Sequence, residues 1–175
     1  MSQLAVGETG RSAQCSVSAQ PSAERVLRRV EFWFPVLPVA KARPRVTWRR
    51  GGRHAYTPTA TASAEKAIRT QAESMLGSNW RPLSGPLRLT VVVARAEPKT
   101  LPRDQRLTRV PTQRPDLDNY QKLITDALSP CKSHSWGVWH DDAQIVEVSG
   151  RKEYAGNCGV GWKVIAEEVE NHGLL

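Results

Sequence analysis

The stretch Leu-Arg-Leu-Thr-Val-Val-Val-Ala at residues 87–94 constrains the fold more than any other part of the chain. Strict alternation of apolar and polar residues suits a strand with one wet face, whereas three consecutive valines leave neither face for water. Such a strand belongs at the centre of a sheet, covered on both sides. A neighbour is expected at residues 29–34, where Arg-Val-Glu-Phe-Trp-Phe is aromatic and alternates in part before Pro35 and Pro38 stop it. Two further strands are expected near the end, at residues 145–152 and 161–166.

Two helices are expected to cover that sheet. Thr57-Pro58-Thr59 places a proline near a first helical position, and Ala60, Ala64, Ala67, Ile68 and Met75 follow at steps of three and four until Gly77. The stripe is narrow and the helix runs for about 17 residues. The second helix spans residues 116–128, with Leu117, Tyr120, Ile124, Ala127 and Leu128 on one face. Residues 39–54, before the first helix, read as a loop or loose hairpin turning at Gly51-Gly52. The order β-α-β-α-β-β describes an α/β (α+β) fold, a single small mixed β-sheet with two helices packed on it.

A length of 175 residues suits one domain. Ser, Ala, Gly and Gln dominate the first 23 residues, so little apolar burial offsets the entropy of ordering them. The expected layout is a flexible tail at 1–28, a folded domain at 29–168 and a short tail at 169–175. The first thirty residues lack a basic start followed by an apolar stretch, and no apolar run approaches the roughly 20 residues of a membrane span. Cys15, Cys131 and Cys158 are scattered and make neither a disulfide framework nor a metal pair. A cytoplasmic location is expected. The net charge of +8 points to polyanionic partners, with no membrane and no small-molecule substrate.

Acidic residues nevertheless form the densest motifs. In Arg114-Pro115-Asp116-Leu117-Asp118-Asn119-Tyr120-Gln121-Lys122, turning the apolar face inward leaves Asp118, Lys122 and Asp126 four residues apart on another face, with Asp116 at the N-cap. Capping and a solvated charge ladder are an ordinary account of those positions. Trp139-His140-Asp141-Asp142-Ala143-Gln144 sits before a strand, where paired aspartates also make plain turns. Two such clusters in one basic chain point further. Hard divalent cations want several oxygen ligands, and Mg²⁺ held beside DNA polarises a phosphate and activates water. Carboxylates near a phosphodiester repel it unless a metal intervenes.

These residues carry a resemblance. Arg114-Pro-Asp-Leu-Asp-Asn-Tyr-Gln-Lys-Leu-Ile-Thr-Asp-Ala-Leu, followed by Asp141-Asp-Ala-Gln-Ile-Val, resembles the RusA family of Holliday junction resolvases, common in prophages. Lys41-Ala-Arg-Pro-Arg and Tyr56-Thr57-Pro58 also look like the family's amino-terminal motif, and the likeness runs in order over residues 31–167. It implies a homodimeric, Mg²⁺-dependent endonuclease that nicks branched DNA in recombination and repair. It implies that Asp116, Asp118 and Asp142 bind the metal and act in catalysis, together with Lys122. Asp141 is left as an outer helper, and Asp126 falls on a recurrent acid with no implied role. The loop at 129–136 is longer than in compact members, and His140 stands where an apolar residue is more usual. Both departures bear on substrate preference.

Lys41, Arg43, Arg45, Arg49, Arg50 and Arg53 crowd into 13 residues. Lys41, Arg43, Arg45 and Arg49, with Arg114, are the expected DNA-backbone contacts; a disordered charge run is the other account. The long loop at 97–115 adds Lys99, Arg103, Arg106 and Arg109. Trp136 and Trp139 flank the second acidic cluster, either packing in the core or stacking on an unpaired base. His134 and His140 are poor ligands for Mg²⁺ and lack zinc-site spacing. The expected protein resolves four-way DNA junctions by paired nicks. Its alternatives are a nuclease for other branched intermediates, a catalytically inactive branched-DNA-binding module, or a structural protein with a solvated acidic face. Three acids plus Lys122 argue against the inactive module, and the basic loops argue against the structural protein.

Overall fold

The computed structural model describes residues 25–49, 51–99, 110–131, 134–156 and 159–170, with the backbone alone at Arg45, Arg49 and His54. Arg103, Arg106 and Arg109, and nearly all of both expected tails, lie outside the described residues. The elements are β1 (Val26–Phe34), β2 (Arg45–Arg49), β3 (Gly52–Tyr56), α1 (Thr59–Leu76), β4 (Leu87–Arg95), α2 (Leu117–Leu128), β5 (Ile145–Tyr154) and β6 (Gly161–Val169). Four strands make one mixed sheet in the order β1-β6-β4-β5. Within this sheet β4 and β5 run parallel, and the β1–β6 and β4–β6 pairs are antiparallel. The fold is the expected small α+β arrangement, with β4 inside the sheet and flanked by β6 and β5.

Alternation in the strands builds the core. Leu87, Leu89, Val91 and Val93 of β4 pair with Glu168, Ala166, Val164 and Trp162 of β6. Those β6 residues in turn pair with Phe34, Phe32 and Val30 of β1 at Trp162, Val164 and Ala166. Apart from Glu168, these side chains form one cluster with Ala64, Ile68 and Ala72 of α1 and Tyr120, Leu123, Ile124, Ala127 and Leu128 of α2. Tyr120 meets the Trp162 ring edge-on at 5.5 Å. Glu168, at the buried end of that row, accepts hydrogen bonds from the Ser84 and Gly85 amides and the Ser84 hydroxyl. Its carboxylate thereby satisfies the turn that enters β4.

Several expectations change in detail. Both helices lie on one face of the sheet, so Val92 is buried among Thr90, Ser149, Arg151, Lys163 and Ile165, side chains of a second face that no described helix covers. The stems of long polar residues bury that valine as well as a helix would. β1 begins at Val26 and β6 runs to Val169, whose amide bonds Pro86, so the ordered sheet exceeds the expected 29–168 at both ends. In α1 the buried stripe is Thr61, Ala64, Ile68 and Ala72, while Ala60 and Met75 are exposed. Alanine fits either face of a helix, so an alanine-rich stretch fixes the period without fixing the phase. The loose hairpin is a regular antiparallel ribbon, β2–β3, that forms a separate sheet.

Candidate active site

The first acidic cluster opens α2. Asp116 is its N-cap residue, with extended backbone at φ −72°, ψ 153°, yet its side chain accepts no capping hydrogen bond. Capping therefore does not account for this aspartate: it is exposed, and among the described residues its carboxylate has no ion pair. Asp118 is also exposed, with a single long hydrogen bond from the Asn119 amide at 3.4 Å. The segment before Asp116 is fastened from behind. Lys152 of β5 donates to the Gln113 and Pro115 carbonyls, both at 3.1 Å, and Arg95 of β4 donates to Gln113 at 3.1 Å. β4 and the edge strand β5 thus set where this acid stands.

The second cluster is a capping box. Asp141 caps the short 3₁₀ turn Asp142–Gln144 by accepting from the Ala143 amide at 2.8 Å. The Gln144 side-chain oxygen accepts from the His140 and Asp141 amides, each at 2.9 Å. Its NH₂ donates to the Leu83 and Gly85 carbonyls at 3.1 and 2.9 Å. Asp141 is therefore spent on the turn, and Asp142 is left to face α2.

Between the clusters runs a row of alternating charge. The Lys41 ammonium lies 2.5 Å from Glu65 of α1 and 2.6 Å from Asp126 of α2. Asp126 also holds Lys122 at 2.8 Å, and Lys122 stands 3.7 Å from Asp142. The Lys41 backbone is anchored too, its amide bonding the Asn119 carbonyl at 2.9 Å. Burial opposes charge on Lys41, but its bonds to Asp126 and Glu65 outweigh that and raise its pKa. Lys122 is likewise raised, chiefly by the hydrogen bond it donates to Asp126. Burial would raise the Asp126 carboxyl; Lys122 and Lys41 outweigh it and hold the group below its usual value. Lys41, Asp126 and Lys122 thus each favour the charged form of the others.

Lys41, Glu65, Arg69, Asp126, Asp141 and Asp142 line a cleft of about 480 Å³. Lys41 is 22% exposed and committed to two carboxylates, apart from the exposed cations with which the sequence groups it. Arg43 and Arg114 are exposed, as are Trp48 and Arg53. Trp139 is fully buried, donating to the Ser129 hydroxyl at 2.7 Å, and Trp136 packs partly buried against the core. His134 bonds the Trp136 carbonyl. Lys152 and Arg69 lie outside the quoted motifs, and Gln144 stands in one without an assigned role. Only Gln144 left a sequence signal, the Asp-x-x-Gln spacing of a capping box.

Among the described residues, no three His, Cys, Asp or Glu side chains come close enough together to hold a metal ion. The donor chemistry nevertheless fits a hard divalent cation. Asp116, Asp118 and Asp142 all offer carboxylate oxygens, and the first two have no ion pair among the described residues. No described helix is long and apolar enough to cross a membrane.

Comparison with known proteins adds two findings. The sequence model of a family described as endodeoxyribonuclease RusA matches residues 35–164. The chain is also 32% identical over 129 residues to a protein of Bacillus subtilis (strain 168) named "Uncharacterized protein YqaN", covering 67% of this chain and 82% of that one.

Proposed function

From its membership of the RusA family of endodeoxyribonucleases, we propose that this chain is a Mg²⁺-dependent endonuclease that resolves four-way DNA junctions by paired nicks, in recombination and repair. The observation that carries the reading is the placement of Asp142 beside Lys122, on the helix that begins with Asp116 and Asp118. Lys122 thereby links the helix that carries the first acidic cluster to the turn that carries the second.

Asp116, Asp118 and Asp142 would hold the cation. When bound, such a cation polarises a phosphoryl oxygen and lowers the pKa of a water that attacks phosphorus. The chain's own groups do the rest. Asp126 keeps Lys122 protonated, so this lysine acts as a fixed positive charge toward the scissile phosphate. Gln144 and Asp141 hold the turn that aims Asp142, and Lys152 with Arg95 holds the approach to Asp116. Arg43, Arg45, Arg49 and Arg114 supply backbone contacts to DNA, whereas Lys41 acts within the protein. A homodimer suits the reaction, because a two-fold junction needs two symmetric cuts.

The test is a labelled synthetic four-way junction beside a linear duplex of matching sequence, each with Mg²⁺ and with EDTA. Paired, Mg²⁺-dependent nicks on the junction alone are expected. Equal nicking of the duplex, or none in any condition, overturns the proposal.

A further inference from the structure

The β2–β3 hairpin enters the reading above only through the arginines of β2, yet its composition is unusual for an arm outside the core. No Asp or Glu occurs between Glu31 and Glu65, while six Lys and Arg fall within residues 41–53. The strands pair Arg45 with Tyr56, Val46 with Ala55 and Trp48 with Arg53, so Val46, Trp48, Arg53 and Ala55 share one face. On it Trp48 is 76% exposed and Val46 is exposed as well. The Arg53 guanidinium lies over the Trp48 ring, 5.7 Å from its centre. An indole left in water at a ribbon's end gives no burial to the fold. Gly51 and Gly52, at φ 114° and 121°, close the ribbon through a backbone conformation that a side chain would strain.

The hairpin is also aimed. Its root follows Lys41, whose amide bonds the first turn of α2 at Asn119 and whose ammonium bonds Asp126. At its other end Tyr56 leads within three residues into α1. Trp48 stands three residues, about 10 Å of strand, beyond the Arg45–Tyr56 base. A ring surface backed by a guanidinium and flanked by cations matches one chemistry above others: a nucleobase out of its stack, attached to its own phosphates.

We propose that the hairpin is a base-contacting arm, in which the indole of Trp48 stacks on an unpaired or unstacked nucleobase next to the cleavage point. It makes the protein favour branched over fully paired DNA, since linear duplex offers phosphates to the arginines but no free base face to the indole. The inference rests on the branched-DNA nuclease reading, and it assigns to that reading a residue that selects the substrate.

The experiment measures binding in EDTA to a four-way junction with 2-aminopurine at the branch point and to its linear duplex, using wild type, Trp48→Ala and Trp48→Phe of matched melting temperature. Trp48→Ala is expected to bind the junction at least about fivefold more weakly, from the worth of one base–aromatic stack. Its duplex affinity stays within about twofold and its 2-aminopurine response is lost, while Trp48→Phe keeps most of both. Junction binding by Trp48→Ala within about twofold of wild type, or an equal loss on duplex, overturns the proposal. Wild-type cleavage with Mg²⁺ on the same DNAs separates the two ideas. A cleaving wild type with an unaffected Trp48→Ala sinks the arm alone, and a non-cleaving wild type whose junction binding still needs Trp48 sinks the nuclease alone.

Discussion

Replacing Lys41 by methionine removes the cation that ties α1 to α2 while keeping the length of the side chain. The Lys41 side chain is 22% exposed and its partners Glu65 and Asp126 are 16% and 24% exposed, so the group is partly buried rather than a surface pair. Exposed ion pairs contribute about 0.2–1 kcal/mol, whereas breaking a fully buried pair costs about 3–5 kcal/mol. Partial burial and two short contacts place Lys41→Met between these limits, at about 2 kcal/mol. For a protein of this size that is roughly 4–8 °C in melting temperature. Most of the loss comes from what is left behind. Asp126 keeps Lys122, but Glu65 has no other partner among the described residues. Lys41→Met/Glu65→Gln is therefore expected to regain about 1 kcal/mol over Lys41→Met, since the stranded carboxylate is gone. Reversible urea unfolding of wild type, both single variants and the double variant closes the cycle. A Lys41→Met loss below about 0.5 kcal/mol, or additive losses in the double variant, refutes the account of Lys41 as an internal tie and returns it to the DNA-facing cations.

Three further outcomes are expected. Asp118→Asn and Asp142→Asn each abolish junction cleavage while binding stays intact or tightens, because each removes a ligand and a repulsion together; nicking near the wild-type rate at saturating Mg²⁺ contradicts the site. Lys122→Ala slows single-turnover cleavage at least about tenfold with junction affinity within a few-fold, as for loss of one charge-stabilising donor; a rate within about twofold makes Lys122 a helix-surface ion pair worth about 0.3–0.5 kcal/mol. The lowered Asp126 carboxyl gives stability that is present above its unfolded pKa and lost as pH falls through its lower folded value, so Asp126→Asn flattens the melting-temperature profile below about pH 4; an unchanged acid slope counts against the Lys41–Asp126–Lys122 row.

What the sequence disclosed follows from the range over which each feature is decided. The buried face of α2 was legible from Tyr120, Ile124, Ala127 and Leu128 because four large or well-placed apolar residues fix both period and phase. In α1 the stripe slipped to Thr61 and Ala72, because alanines mark a helix without marking its inner side. Lys41 looked like its neighbours Arg43 and Arg45, and nothing local distinguishes a lysine that will meet Glu65 and Asp126 from one that will meet water. For Trp139 the sequence left core packing and a stacking ring both open; it fills the core, while Trp48 amid arginines is 76% exposed. Motif likeness could name Asp116, Asp118 and Asp142; it could not reveal that Asp116 fails to cap its helix, which only side-chain geometry decides.

The Leu128 and Val138 backbones are joined by a 2.8 Å hydrogen bond, Val138 in turn accepts from Leu83, and Trp139 is pinned to Ser129. The long stretch between Leu128 and Val138 therefore leaves and re-enters the domain at one point, like a noose drawn tight at its knot. Chain can be added to or taken from such a noose without moving the turn that carries Asp142, which Gln144 rivets to Leu83 and Gly85. Doubling its length costs only about 0.6 kcal/mol of closure entropy. The loop that reads as extended in the sequence is thus one where a change of length is cheap for the turn that carries Asp142, while Pro130 and Cys131 at its start border the cleft.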